Sequence, residues 1–345
     1  MFDCSALRKS PLYVSLVVLI FITACLPSGA GQTGSGIRRA AAPYALNVPA
    51  WELRNSLSSV ESGTDTVTHT LDADIERALR QQGIAALPPV RSRFEQPPLL
   101  LVVSPRERIL YLDRLLLQPA MDLTRIEELE NNITELGLSA LVVKIGGFGA
   151  AYPAVVSPSL PMKSMVEAAV EEWAHQYLAL KPLGFLYLLD CLGFAQDPGV
   201  ITMNETLAGM IADEIGSIVY SSYAETAASQ QNSRTDDGFD FAAEMRLTRR
   251  QVDGLLAAGE VEQAETYMNG RRAFFESRGY YIRKLNQAYF AFHGIYGQDP
   301  GSAGPIYAQM TGLREASGSL SEFVDRVSAM TGPAALQEAV DSLPH

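Results

Sequence analysis

Short apolar runs separated by polar or glycine-rich breaks dominate the first half of the chain. Three of them have the length and residue content typical of strands: residues 99–103, 109–117 and 139–145. Helical spacing of apolar positions predicts helices over residues 51–60, 71–84 and 122–136, with Gly137 placed to end the last one. Gly146 to Gly149 interrupt the third strand, and an extended run resumes at residues 152–156. This half of the chain therefore predicts a small mixed sheet with accompanying helices.

Helical spacing takes over from residue 161 onward. Apolar positions three or four apart predict helices over residues 165–180, 202–220, 283–296 and 320–330. Residues 247–279 have the pattern of a helical hairpin turned at Gly259, and the polar stretch 225–240 is predicted to be a loop. The whole pattern predicts an α+β fold, with an N-terminal α/β lobe over residues 47–160 and a mainly helical lobe over residues 161–345.

The first 46 residues have the features of an exported lipoprotein. Arg8 and Lys9 precede an apolar stretch, residues 11–24, that ends directly before Cys25. This stretch is short for a bilayer core of about 30 Å, and no basic stop-transfer cluster follows it. Residues 1–24 are therefore predicted to be a signal peptide. Cys25 is predicted to be the lipidation site, followed by a flexible tether rich in Gly, Ser and Ala over residues 25–46.

The lipid on Cys25 would hold the protein to the extracytoplasmic face of a bacterial cell membrane, which is its predicted location and its first predicted partner. Two alternatives stay open. One is an uncleaved anchor helix, and the other is an ordinary cleaved signal with an incidental cysteine.

Composition narrows the functional classes further. The 47% hydrophobic content excludes a disordered protein, and the formal charge of -12 argues against binding nucleic acid. Cys4 lies in the predicted signal, so with Cys25 acylated only Cys191 remains. This excludes a disulfide framework and a zinc site of four cysteines. The chain has only 4 histidines, so a metal site has few nitrogen ligands to draw on.

The stretch 171–175, Glu-Glu-Trp-Ala-His, is the strongest candidate for chemistry. Glu171 and His175 are four positions apart, so they share one face of the predicted helix, and Glu172 follows Glu171 directly. Asn204 and Glu205 open the run NETLA on the next predicted helix. The spacing matches the zinc-binding pattern H-E-x-x-H except that Glu171 stands where the first histidine is expected.

The middle of the chain, about residues 97–300, resembles the gluzincin metallopeptidases, the superfamily of thermolysin and the zinc aminopeptidases. The resemblance rests on a strand, a glycine-rich turn, the EEWAH helix and NETLA, which occur in that order. It implies a zincin-like fold in which an edge strand binds the peptide backbone. It also implies zinc as cofactor, Glu172 as general base, and His175 and Glu205 as zinc ligands. Glu171 stands in the position of the remaining ligand.

Two residues near the carboxyl end of the resemblance are further catalytic candidates. In gluzincins a Tyr or His of the helical lobe stabilises the oxyanion, which implies this role for Tyr289 or His293. His293 is also a candidate replacement nitrogen ligand. The alternative is that both are buried structural residues. Asp213 and Glu214 are either partners of His175 or solvated side chains.

The replacement at position 171 separates the possible functions. Two carboxylates and one imidazole provide one nitrogen fewer than the usual ligand set, and the added negative charge weakens the Lewis acidity of the metal. The sequence therefore favours a degenerate metallopeptidase, a pseudopeptidase that binds a peptide or protein in the ancestral cleft. The alternatives are an active zinc metallopeptidase with an atypical site and a scaffold lipoprotein without enzymatic activity.

Overall fold

Helices surround two small sheets in the part of the chain that the computed structural model describes, residues 32–48, 50–51, 66–191, 197–224 and 239–343. The helices of these residues are α1 (Gln32–Ala41), α2 (Thr66–Gln81), α3 (Leu123–Thr134), α4 (Met162–Leu178), α5 (Pro182–Cys191), α6 (Pro198–Ala224), α7 (Phe241–Ala257), α8 (Val261–Ser277), α9 (Gln287–His293), α10 (Ile306–Glu315), α11 (Leu320–Ser328) and α12 (Pro333–Asp341). The strands are β1 (Ser92–Phe94), β2 (Leu99–Pro105), β3 (Asp113–Leu117), β4 (Leu138–Lys144), β5 (Gly147–Phe148) and β6 (Ala154–Val156). The predicted α+β class is confirmed, and the strands form two three-stranded sheets rather than one.

The first sheet has the order β3-β2-β4 and is antiparallel throughout. Side chains of the central strand alternate between its two faces, as strand geometry requires. Leu99, Leu101 and Val103 pack in one apolar cluster with residues of α1 and α3. Val102 packs in another cluster with Ala288 of α9. The sheet is therefore covered on one face by α1 and α3 and on the other by α9.

The second sheet has the order β1-β6-β5 and lies close to α4. Strand β1 pairs with β6 in parallel, and β5 pairs with β6 in the antiparallel direction. Both β5 and β6 contact α4. Strand β5 is thus an edge strand beside the helix that carries the EEWAH stretch.

The largest apolar core lies around α4 and α6, which pack against each other. Trp173, Leu207 and Ile211 are buried there, and the Trp173 indole nitrogen donates a hydrogen bond of 2.8 Å to the Pro88 carbonyl. Helix α2 adds Ile75 to the same core. Helix α2 of the predicted N-terminal lobe therefore packs into the core of the predicted helical lobe. Helix α9 of the predicted helical lobe packs in turn on the first sheet, which belongs to the predicted N-terminal lobe.

A buried carboxylate, Glu130 of α3, connects the first sheet to the segment before α9. It accepts a hydrogen bond of 2.7 Å from the backbone nitrogen of Val142 in β4. Its oxygens also accept from Arg283 and from Lys284. Because Glu130 is only 2% exposed, these contacts hold the start of α9 firmly against the sheet.

Most of the predicted elements are present with shifted ends. The strand expected over residues 109–117 pairs only from Asp113, and α6 extends further at both ends than the predicted helix over 202–220. Gly137 and Gly259 have φ values of 78° and 77°, which end α3 and turn the α7–α8 hairpin as predicted. The predicted helix over residues 51–60, apart from Trp51, and most of the predicted loop over 225–240 lie outside the described residues.

The prediction of a flexible tether over residues 25–46 is wrong for its second part. Residues 32–41 form α1, and Ile37 and Ala41 of this helix are buried against the first sheet. Glycine and serine lower helix propensity, but burial of an apolar face outweighs this local cost.

The predicted signal peptide and Cys25 lie outside the described residues. Within those residues, no helix combines the length and the apolar character that crossing a bilayer requires.

Candidate metal centre

Three potential metal ligands from two helices come together in the structure. Glu171 and His175 lie one turn apart on α4, and Glu205 lies on α6. One ligand atom of each residue lies within 4.8 Å of the corresponding atoms of the other two. The prediction that these side chains face one another is confirmed. His293, the candidate replacement ligand, is not part of this group.

His175 and Glu205 are the closest pair of the three. Nε2 of His175 lies 3.4 Å from Oε2 of Glu205, and the two side chains are 12% and 6% exposed. Nδ1 of the same ring lies 3.1 Å from the amide nitrogen Nδ2 of Asn204, so the amide donates to Nδ1 and the proton of a neutral ring lies on Nε2, facing Glu205. For Nε2 to offer a lone pair to a metal, Nδ1 must carry the proton, which requires the Asn204 amide to turn over so that Oδ1, buried and without a hydrogen-bond partner, accepts from the ring. The NETLA run thus supplies both a candidate ligand, Glu205, and a hydrogen-bond partner of His175.

Tyr187 of α5 contacts both members of this pair. Its hydroxyl donates a hydrogen bond of 2.8 Å to Oε1 of Glu205. Its ring stacks on the His175 ring, with centroids 5.9 Å apart and planes at 18°. Tyr187 was not among the predicted site residues.

Glu172, the predicted general base, packs against the glycine-rich turn after β4. A Cβ atom at Gly147 or Gly149 would collide with the Glu172 side chain, so only glycines leave room for this carboxylate. Gln176, one turn further along α4, donates hydrogen bonds to the carbonyls of Gly149 at 3.0 Å and Ala151 at 2.8 Å. The turn is therefore tied to the helix that carries the site.

The four acidic and imidazole groups lie in one cleft of about 530 Å³. Its walls include the sheet residues Leu100 and Leu116, the β5 turn and the segment after α9. Glu171, Glu172, His175 and Glu205 all line it. The cleft is large enough for several residues of an extended peptide.

The two predicted oxyanion candidates have different positions. His293 lines the cleft, and its Nδ1 lies 2.6 Å from Oδ2 of Asp299. Tyr289 is not a lining residue; it packs behind, with its ring centroid 4.1 Å from that of His293. The prediction for Tyr289 therefore finds no support in the geometry, because the ring is directed into apolar clusters that include Phe290.

Tyr296 is a cleft residue that the sequence did not reveal. It lines the cleft, and its pKa is raised well above the usual value of 10.0 by burial and by the charges of Glu205 and Glu171. Since α9 ends at His293, no helical spacing links Tyr296 to the other site residues. Only the fold brings it to the carboxylates.

The expected alternative partners of His175 on α6 are directed elsewhere. Asp213 is exposed, and Glu214 accepts hydrogen bonds of 2.6 and 2.9 Å from Arg314. Asn204 fills the role that Asp213 and Glu214 were considered for.

Burial and mutual repulsion shape the charges of the metal-free site. Burial raises the pKa of Glu171 to about 7 and that of Glu172 to about 8, although the charge of His175 opposes both shifts. Burial alone lowers the pKa of His175, but the carboxylates, Glu205 first, raise it by more. The pKa of Glu205 is below its usual value because His175 and Tyr187 outweigh burial. These shifts make Glu171, Glu172 and His175 bind protons more tightly than they would in water.

Comparison with known proteins finds no match: no family model fits the chain, and no curated protein or solved structure is similar to it.

Proposed function

We propose that this chain is a gluzincin-like zinc peptidase that cleaves peptides in the cleft formed by α4, α6 and β5. The observation that supports it most is the convergence of Glu171, His175 and Glu205 within 4.8 Å, with Glu172 lining the same cleft. A scaffold protein has no need to bury this set of titratable groups together, since their mutual proximity is costly without a cation.

The spacing of one pair of ligand atoms, in His175 and Glu205, fits zinc. Two ligands at about 2.0–2.2 Å from a tetrahedral zinc ion lie roughly 3.3–3.6 Å from each other. The Nε2–Oε2 distance of 3.4 Å between His175 and Glu205 falls in this range. Carboxylate oxygen is an accepted zinc ligand, so Glu171 can replace the expected histidine.

The roles of the protein groups follow from their positions. A bound zinc ion would supply Lewis-acid polarisation of the scissile carbonyl. Glu172 would accept a proton from the attacking water and pass it to the leaving amine. His293 and Tyr296, which line the same cleft, are the candidate donors to the developing oxyanion. The edge strand β5 offers backbone groups for pairing with an extended peptide.

A pseudopeptidase is the second candidate, and the composition of the ligand set favours it. Two carboxylates neutralise most of the charge of a divalent ion and weaken its Lewis acidity. In this case the cleft would bind a peptide or protein segment and release it unchanged.

Zinc stoichiometry and peptide cleavage by the purified full chain separate the possibilities. We expect one zinc per chain and chelator-sensitive cleavage. Glu205→Gln should abolish zinc binding, and Glu172→Gln should keep zinc but slow cleavage by about 10²–10⁴-fold. Glu214→Gln, on the same helix but paired with Arg314, is the matched control and should behave as wild type. Zinc without cleavage would establish the pseudopeptidase, and absence of zinc would refute the proposal.

The proposal includes attachment to the membrane through a lipid on Cys25, as the sequence predicts. Cys25→Ser should release the protein from membranes or leave it as unprocessed precursor. Membrane retention of a Cys25→Ser protein with a cleaved signal would contradict this part of the proposal without affecting the zinc site.

A further inference from the structure

Helix α5 connects the two helices that carry the metal ligands. It begins at Pro182, shortly after α4 ends at Leu178, and α6 follows from Pro198. Its side chains Leu183 and Leu188 are buried, so the helix is anchored by packing. An anchored helix can hold a polar side chain at a defined place in the site.

Tyr187 gives the two oxygens of Glu205 different surroundings. Its hydroxyl donates to Oε1 at 2.8 Å, whereas Oε2 is the atom that faces His175 at 3.4 Å. A carboxylate held in this way is fixed in rotation about its last bond, because one oxygen is tied by a hydrogen bond. The other oxygen is then presented to the ligand group.

The same side chain also restrains the histidine. The Tyr187 ring lies nearly parallel to the His175 ring, at 18°, and covers one of its faces. Asn204 holds the edge of the ring at Nδ1. Together these contacts leave Nε2 directed towards Glu205.

We infer that Tyr187 is a positioning residue of the metal centre, which fixes Glu205 as a ligand through Oε2 alone and holds the His175 ring in the orientation that a metal requires. The inference rests on the proposed zinc site. It adds α5 to the helices that build the site, because Tyr187 lies outside both the EEWAH and the NETLA stretches.

A neutral donor at Oε1 has a further effect in a site with two carboxylate ligands. The hydrogen bond from the Tyr187 hydroxyl to Oε1 draws negative charge away from Glu205. Tyr187 thereby offsets part of the extra negative charge that Glu171 brings where a histidine is expected.

Zinc affinity and the visible spectrum of the cobalt(II)-substituted full chain test this inference. Tyr187→Phe keeps the stacked ring and removes only the hydroxyl, so the fold should be kept. We expect zinc to bind about 10–100-fold more weakly. The cobalt spectrum should change, because Glu205 becomes free to bind through both oxygens.

Tyr177→Phe is the matched control. Tyr177 stacks on Trp173 at 5.3 Å and is not a cleft residue, so its variant should retain wild-type affinity and spectrum. Wild-type affinity and an unchanged spectrum in Tyr187→Phe would overturn the inference alone. Equal losses in both Phe variants would also overturn it, because they would indicate general destabilisation. A wild-type chain that binds no zinc would instead remove the proposed function, and the inference with it.

Discussion

The glycine-rich turn after β4 allows a graded test of how Glu172 is held. None of Gly146, Gly147 and Gly149 has a positive φ, so alanine is compatible with the backbone at all three positions. A Cβ at Gly149 would lie 2.7 Å from Oε2 of Glu172 and 2.8 Å from its backbone carbonyl oxygen. A Cβ at Gly147 would collide with Cγ and Oε1 of the same side chain. At Gly146 the nearest atoms are 3.5 and 3.8 Å away, in ordinary contact.

These distances predict different outcomes for the three alanine variants. Gly149→Ala must move the backbone of α4 or the turn, and overpacking of this kind costs about 1–3 kcal/mol. At about 1.4 °C per kcal/mol for a chain of 345 residues, its Tm should fall by roughly 1–4 °C. Gly147→Ala can be relieved by rotation of the Glu172 side chain, so its stability cost should be smaller. Displacement of the base should nevertheless lower kcat by about 10²–10⁴-fold.

Thermal unfolding, zinc titration and peptide cleavage on the three variants form the assay. Gly146→Ala is the internal control, and it should be neutral or stabilised by about 0.4–1 kcal/mol because alanine restricts the unfolded chain. Zinc affinity should change little in Gly147→Ala, since Glu172 is not a ligand. Wild-type cleavage by Gly147→Ala would refute the placement of Glu172 against the turn. Equal destabilisation of Gly146→Ala and Gly149→Ala would show that the turn, and not the carboxylate, sets the cost.

Three further predictions concern the candidate ligands and the residues next to them. Glu171→His completes the H-E-x-x-H pattern and removes a negative charge, so zinc should bind more tightly in a competition titration; unchanged affinity would mean that the cleft does not accept an imidazole there. Asn204→Ala removes the partner of His175 and should weaken zinc binding by about 10–100-fold, whereas a loss below twofold would exclude its orienting role. Burial raises the pKa of Glu171 from 4.5 to about 7 and that of Glu172 from 4.5 to about 8, so the native metal-free protein binds more protons than the unfolded chain. Its free energy of unfolding should therefore fall as pH rises from about 5 to 8 with chelator present. Glu172→Gln should reduce the slope of this pH dependence. A free energy of unfolding that rises over this range would contradict the burial of these carboxylates.

The part of the site that the sequence could predict depends on helical spacing. Glu171 and His175 had to share a helical face if residues 165–180 were helical, and they do. Glu205 could be assigned to the next helix from the NETLA run, and its approach to His175 then depended only on the packing of two adjacent helices.

The rest of the site depends on the path of the chain in three dimensions. Tyr187 lies in a stretch that is apolar on all sides, so no periodicity distinguishes its position from that of its neighbours. Tyr296 follows the end of α9, where spacing carries no directional information. Tyr289 and His293 lie one turn apart on α9, so the sequence does not distinguish them; His293 lines the cleft, whereas Tyr289 lies behind it. Such differences of orientation are decided by tertiary contacts, such as those of Glu130 that hold the segment before α9.

Helix α1 sets how far an anchored molecule can stand from the lipid surface. Its first residue is Gln32, and Ile37 is already buried against the first sheet. Seven Cα-to-Cα steps lead from Cys25 to Gln32, and at about 3.3–3.6 Å each they span at most roughly 25 Å. With Cys25 acylated as proposed, Gln32 stays within this distance of the lipid surface, so the cleft is confined to a layer whose depth is this distance plus the diameter of the folded protein. Substrates in solution must diffuse into that layer, while polypeptides attached to the same membrane meet the protein by lateral motion at a much higher effective concentration.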